Sequence, residues 1–211
     1  MTNQAKTDNA NLPAKLALRR YFLNKYHTSQ KPLVFDACQG EGVLWETIRR
    51  SFKCNYWGVD IKPKPGRLRV ESSRMLAAPG FAADVIDIDT YGSPWRHWLA
   101  LIKNLKNPAT VFLTWGQIMM GGGNAPDEVL EISGAVFTRL KIPNYLKVKI
   151  SERILPYMFC EAEKYGLKII EAVKARHRGS AQYIGLRIEP AQSGPPSGSP
   201  KKKKAKKRVK Q

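Results

Sequence analysis

Short apolar runs alternate with helix-like segments over residues 33–109, and that alternation restricts the fold more than any other feature of the chain. LVFDA is followed by the glycine turn QGEG and the helical pattern VLWETIRRSF. YWGVDI, the loop KPKPG and RLRVE follow, then the short helical stretch SSRMLAAPG. ADVIDID leads through TYGSP into WRHWLALIKNL, and TVFLTW reads as a fifth strand. Runs this short, bounded by turn residues, read as buried strands, and strands alternating with helices build a parallel sheet covered on both faces. LKIIEAVKAR and AQYIGLRIE, joined by HRGS, read as two further strands. A connection that tight forces them antiparallel. The expectation is a mostly parallel seven-stranded α/β sheet with an antiparallel C-terminal hairpin and helices on both faces.

The flanks are different. Residues 1–12 read as a flexible lead-in, and Pro13 suits the first turn of a helix, where its missing N–H costs nothing. Leu18, Tyr21, Phe22 and Tyr26 then fall on one helix face, but Lys15, Arg19, Arg20 and Lys25 do not segregate onto the other. Residues 145–165 read as a helix broken or shifted near Pro156. Residues 191–211 combine linker chemistry with a Lys-rich run that cannot bury a core. One domain is therefore expected over residues 13–190.

The 211 residues carry a net charge of +19, and residues 201–210 supply +8 of it, which leaves +11 for the rest. A body basic without its tail points to a polyanion, most commonly nucleic acid. Lys201, Lys202, Lys203 and Lys204 would bind phosphates without sequence preference, and the same run would serve as a nuclear address in a eukaryote. No stretch reads as a membrane span or a secretory leader, so a cytoplasmic protein is expected. The three cysteines, Cys38, Cys54 and Cys160, form no CxxC pair and suit a reducing compartment. Cys38 reads as a small loop residue and Cys160 as helix core. Asp84, Asp87 and Asp89 are dispersed along one strand, and no metal site is assigned.

Ligands of open α/β sheets sit beyond the carboxyl ends of the strands. After the first strand stands Asp36-Ala37-Cys38-Gln39-Gly40-Glu41-Gly42. Gly40 and Gly42 let the backbone approach a ligand, while Asp36 and Glu41 disfavour a pyrophosphate and suit a ligand with a cationic end. Asp60 ends the second strand about twenty residues on, where a carboxylate accepts both hydroxyls of a ribose. Glu71 or Ser72, after the third strand, would lie near the base. Trp95 and Trp98 read as helix core, and Trp115 as a border of the pocket. Met119, Met120 and the glycines at 121–123 read either as a lid or as an ordinary loop.

The order DACQGEG, VDI and DVIDIDTYGSP resembles the class I S-adenosylmethionine-dependent methyltransferases. More narrowly, FAADVIDIDTYGSP is similar to the tRNA guanine-N2 dimethyltransferase stretch D-x-I-D-x-D-P-[FY]-G-[ST]-P, and KISERIL to that family's E-x-x-x-R-I-L helix. Thr90 stands where the family has proline, and the resemblance spans residues 33–189 without the family's C-terminal domain. It implies a Rossmann-like methyltransferase fold with S-adenosylmethionine as cofactor. Asp36 and the backbone of Ala37, Cys38, Gly40 and Gly42 would hold the methionine end, and Asp60, Ile61, Glu71 and Ser72 the nucleoside. Asp89, Tyr91 and Pro94 would form the catalytic loop, with Asp89 accepting from the amine to be methylated and Tyr91 stacking on the base. Arg96 joins the tail lysines as a nucleic-acid contact. The implied activity is methyl transfer to an exocyclic base amine of nucleic acid, guanine in RNA foremost. A DNA amino-methyltransferase and a non-catalytic nucleic-acid-binding module on the same scaffold are the alternatives.

Overall fold

The computed structural model describes residues 11–62, 68–90, 92–116, 144–175 and 181–191. Seven strands, β1 (Leu33–Asp36), β2 (Asn55–Asp60), β3 (Leu68–Arg69), β4 (Val85–Ile88), β5 (Ala109–Trp115), β6 (Leu167–Lys174) and β7 (Gln182–Pro190), form one sheet. Its order is β3-β2-β1-β4-β5-β7-β6. The first five strands are parallel; β7 pairs antiparallel with β5 and with β6. The hairpin is therefore attached through its second strand, which sequence order alone did not reveal.

Alternation along each strand sorts side chains into two cores. Phe35, Ile86, Ile88, Val111, Leu113, Ile184 and Leu186 face α3 (Ser72–Leu76), α4 (Trp95–Ile102) and α5 (Asn144–Lys164). Val34, Val85, Phe112 and Tyr183 face α1 (Leu12–Tyr26) and α2 (Val43–Arg49). Trp95 and Trp98 are core residues, as the helix pattern indicates. Two expectations are corrected. The helix read as broken near Pro156 runs through that residue as one element. Cys160 is exposed rather than core, because it lies on the solvent side of α5, away from Ile154, Met158 and Ala162.

Helix α1 starts with Pro13 in its first turn and buries Lys15, Leu18, Arg19, Phe22 and Leu23. That is one face at helical spacing, with two cations in it, which explains why the charges fail to segregate. The Phe22 ring fills the space above Gly185 of β7, where a Cβ would come within 2.5 Å of it. The helix runs antiparallel to β4 and β5, so its first turn lies at the carboxyl ends of the parallel strands. His27, just past its end, meets Thr110 at the opposite edge, with Nε2 and Oγ1 2.9 Å apart.

Candidate functional site

Strand order reverses between β1 and β4, since β1 leads outward to β2 while β4 leads outward to β5. Their carboxyl ends form the crevice in which such sheets place ligands. The loop after β1 enters it first. Ala37 N–H donates to the Asp87 carbonyl at 2.8 Å, and Gln39 N–H to that of Val59 at 3.0 Å. Gly42 N–H closes a turn onto Gln39 O at 2.8 Å. Cys38 N–H donates to Asp36 Oδ1 at 3.2 Å and Gly40 N–H to Asp60 Oδ2 at 2.9 Å. Gly40 and Gly42 have φ of 52° and 78°, which glycine adopts without strain. The amides of Ala37, Cys38, Gln39, Gly40 and Gly42 are thus spent inside the protein, as are the carbonyls of Gln39 and Gly42, which accept from Gly42 and Glu46 N–H. With these amides engaged and Asp36 and Asp60 against the loop, it suits a ligand with a cationic end better than a pyrophosphate.

Asp60 is half-buried, and its other oxygen, Oδ1, accepts Lys62 N–H at 2.9 Å. Each oxygen keeps a second acceptor site, so a pair of ribose hydroxyls is within its capacity. Ile61 beside it is 66% exposed, an apolar side chain left uncovered at the crevice mouth. The glycine loop, a carboxylate and an apolar platform in this order fit a nucleoside that carries a cationic amino acid. Glu71 caps α3 and is drawn to Arg96 Nη2 at 2.9 Å and Arg74 Nε at 3.1 Å. Its carboxyl is held below its ordinary range by the Ser73 hydroxyl and by these arginines. Ser72 turns inward, with Oγ 2.9 Å from His97 Nε2. Burial depresses His97.

Asp36 lies beneath the loop rather than at its mouth. It is buried, with Oδ2 accepting from the Tyr56 hydroxyl at 2.8 Å. Its register partner on β4 is Asp87, on the same face. Burial and the Asp87 charge push its carboxyl up to about 8. The structure therefore gives Asp36 a hold on the loop and on Tyr56. The Cys38 thiol is likewise pushed up by burial and the surrounding acids, which leaves no thiolate nucleophile there.

Beyond β4 the loop carries Asp89, whose side chain is 23% exposed. Both its oxygens accept from Lys15 Nζ, at 2.9 and 2.6 Å. Burial alone would raise this carboxyl, but Lys15 and Arg19 outweigh it and hold it below the ordinary range. Arg19 donates to Asp87 through Nε and Nη2, each at 2.7 Å, and Trp45 Nε1 adds a third donor to Asp87 at 2.8 Å. The loop returns over the end of β5, where Gly116 N–H donates to Gly92 O at 2.7 Å. Gly92 has φ 105°, and a Cβ on Gly116 would lie 2.8–3.0 Å from Gly92 backbone atoms. Pro94 then starts α4 and is buried. The hydroxyl of Thr90 and the indole N–H of Trp115 are buried without partners beside this loop. Trp115 packs against Trp95, with ring centroids 6.1 Å apart.

The structure thus gathers Asp60, Ile61, the glycine loop and Asp89 around one crevice, with Arg96 exposed at its rim. Tyr91, the Met119–Gly123 stretch and Lys201, Lys202, Lys203 and Lys204 lie outside the described residues. Lys15, Arg19, Tyr56 and Gly116 were missed. The cations at i and i+4 with Leu18 and Phe22 at i+3 and i+7 were the available signal. Among the described residues no group of three or more His, Cys, Asp or Glu is placed to hold a metal ion, and no helix is long and apolar enough to cross a membrane.

No protein-family model matches the sequence, and no curated protein matches it. Solved structures do. The chain is similar to Trm1 from Pyrococcus horikoshii in complex with S-adenosyl-L-methionine, with a TM-score of 0.59 at 17% identity over 90% of this chain and 58% of that one. It is similar to M. jannaschii TYW2 in complex with AdoMet, with a TM-score of 0.53 at 11% identity over 87% and 78% of the two chains. A putative hemolysin from Streptococcus thermophilus follows at 0.51 and 12% identity, over 91% and 70%. The chain spans less than two thirds of the length of Trm1. At such identities the likeness concerns architecture, and it agrees with the strand order and the crevice. The chain has the fold of the class I S-adenosylmethionine-dependent methyltransferases.

Proposed function

We propose that the chain is a methyltransferase that binds S-adenosylmethionine and methylates an exocyclic base amine of nucleic acid, guanine in RNA and specifically tRNA. The observation that carries the reading is Asp89, a charged carboxylate fixed across the β1–β4 crevice from Asp60 and Ile61. Asp60 would accept the ribose hydroxyls, Ile61 would pack on the adenine, and the glycine loop over residues 37–42 would hold the methionine end. The cofactor supplies an electrophilic methyl group. Asp89 supplies the orientation of its acceptor. An exocyclic amine is a poor nucleophile, since its lone pair is delocalised into the ring, and an N–H bond to Asp89 aims it. A carboxylate held this low is a weak base toward a neutral amine. It accepts the proton once the nitrogen has taken the methyl and become cationic.

The basic body and the Lys-rich run support a nucleic-acid substrate. The non-catalytic reading has one observation in its favour: Lys15 already occupies both Asp89 oxygens. Calorimetry separates the readings. Asp60→Ala removes two hydrogen bonds to a charged acceptor and should weaken S-adenosylmethionine binding by about 10²–10⁴-fold. Tritiated methyl transfer to total tRNA should then be abolished by Asp89→Asn with cofactor binding retained. A wild type that binds no cofactor refutes the enzyme.

A further inference from the structure

Helix α1 contributes nothing to the sheet, yet it sends two cations into the face of β4. Lys15 and Asp89 are 11% and 23% exposed at the side chain, and Arg19 and Asp87 are 1% each. Four residues of helix rise about 6 Å and two of strand about 6.7 Å, so positions i and i+4 of an antiparallel helix meet positions i+2 and i of the strand. Arg19 and Lys15 thus face Asp87 and Asp89 as two rungs. The Lys15 ammonium is held between Asp89 and an aromatic ring. Its backbone carbonyl accepts from Arg19 Nη1 at 3.2 Å, and its Nζ lies 5.1 Å over the Tyr183 ring.

We propose that Lys15 is a positioning residue for the reaction: its ammonium fixes the Asp89 carboxylate in one orientation and leaves the acid's outer acceptor sites to the substrate amine. The proposal rests on the methyl-transfer reading. An ionised carboxylate has about four lone-pair sites, and Lys15 takes two of them. The side chain is 23% exposed, which leaves room for a substrate N–H beside Lys15 and Thr114. Without Lys15 the carboxylate would lose both of these bonds and the nearer of its two cations, and with Asp36 and Asp87 close by its hold on a proton would rise. The groups that face it are Lys15 and Arg19 from α1, Asp36 and Cys38 from β1 and its loop, Asp87 from β4, Thr114 from β5 and Tyr183 from β7, with Tyr56 of β2 behind Asp36. A protonated acid is a poor acceptor for an amine N–H, so Lys15 governs the pH range in which Asp89 works. Arg19, held on Asp87, serves α1 as its anchor.

The test uses the full chain labelled with aspartate carrying a ¹³Cγ, with the Asp89 signal assigned by Asp89→Asn. Wild type, Lys15→Met and Lys15→Arg are titrated. Lys15→Met should move the Asp89 midpoint up by about one to three pH units, the range expected for loss of an opposite charge in contact, and Lys15→Arg should return most of it. The acid limb of kcat for methyl transfer to total tRNA should move up in parallel, with cofactor affinity by calorimetry unchanged. An Asp89 midpoint indifferent to residue 15, in a wild type that binds the cofactor, overturns the positioning role alone. Transfer by Lys15→Met equal to or above that of wild type overturns it too, and makes Lys15 an occupant the substrate must displace. A wild type that binds no cofactor removes the enzyme reading and this role together. Because the labelled titration needs no cofactor, a melted Lys15→Met is recognised by collapsed signals, and Lys15→Arg then decides.

Discussion

Arg19→Met tests how α1 is held, and its cost can be worked from the contacts. The guanidinium makes two charged hydrogen bonds to Asp87, both at 2.7 Å, with each side chain 1% exposed. Two such bonds are worth about 3–6 kcal/mol, and removing one partner of a buried pair costs about 3–5 kcal/mol, so about 4 kcal/mol is expected. Methionine keeps the stem and its packing on Phe112, over whose ring the guanidinium lies at 5.0 Å, so little of this cost is cavity. After the change Asp87 keeps, among the described residues, the Trp45 indole as its side-chain donor. For a domain of this size about 4 kcal/mol corresponds to a drop in Tm of roughly 8–16 °C. Urea unfolding followed by tryptophan fluorescence at pH 7 reads it directly, since Trp45 itself bonds Asp87. The double variant Arg19→Met/Asp87→Leu discriminates between charge and packing. With both charges gone, the main residual penalty is an unpaired Trp45 N–H, about 1–3 kcal/mol, so the double variant should be more stable than Arg19→Met. A loss below about 1 kcal/mol, or a double variant as unstable as the two singles added, refutes the account of α1 as a charge-anchored helix.

His27 is buried against Thr110 and neutral, with burial and then Arg187 depressing it to about 4. The unfolded chain binds a proton at this site below about pH 6.5 while the folded chain does not until about 4, so its contribution is complete above pH 6.5 and is lost as pH falls toward 4. After discount for partial solvation this is about 2 kcal/mol. His27→Gln should flatten that part of the stability–pH curve measured by urea melts, and an unchanged slope between pH 4 and 6.5 would remove the assignment. Gly116→Ala drives a Cβ into the Gly92 backbone at 2.8–3.0 Å, and backbone gives way less cheaply than a side chain. We expect a loss of about 1–3 kcal/mol and a fall in methyl transfer larger than any fall in cofactor affinity, because the displaced loop is the one that carries Asp89. Equal losses in both would place the damage in the sheet instead.

The strands were legible because each is a short apolar run ended by a turn, and a buried parallel strand leaves few other sequences open to it. LVFDA, ADVIDID and TVFLTW became β1, β4 and β5 with ends shifted by a residue or two. Asp60 and Asp89 were legible for the same reason, since strand ends mark the crevice. What escaped depends on pairing between distant segments. Sequence order does not say that β7 rather than β6 lies against β5. Seven backbone pairs, from Ala109↔Ile188 to Trp115↔Gln182, decide it, and Gly185 among them makes room for Phe22 of α1. Asp36 shows the same limit in a single residue. Its position before two glycines was visible. Its neighbour Asp87 was not, and burial together with the charge of that neighbour raises the hold of Asp36 on a proton beneath the loop.

Helix α1 carries this furthest. Its charges look like a failed amphipathic pattern when scored against solvent, because the scoring assumes that a helix buries only apolar groups. Against β4 the same residues are complementary. Leu18 and Phe22 meet apolar side chains, while Arg19 and Lys15 meet the acids that the strand alternation turns to the same face. Burying four charges is costly, and a pair of apolar residues at positions 19 and 87 would often be as stable. Stability therefore does not account for the arrangement by itself. The inner rung, Arg19–Asp87, is sealed and can only hold the helix in register. The outer rung, Lys15–Asp89, is the one that opens to the crevice, and it ends on the carboxylate that the proposed chemistry requires. An anchor one rung deep behind a half-exposed pair keeps that carboxylate within a narrow range of positions without covering it. The helix that looks dispensable to the sheet is, on this reasoning, the part of the fold that sets the carboxylate facing the substrate amine.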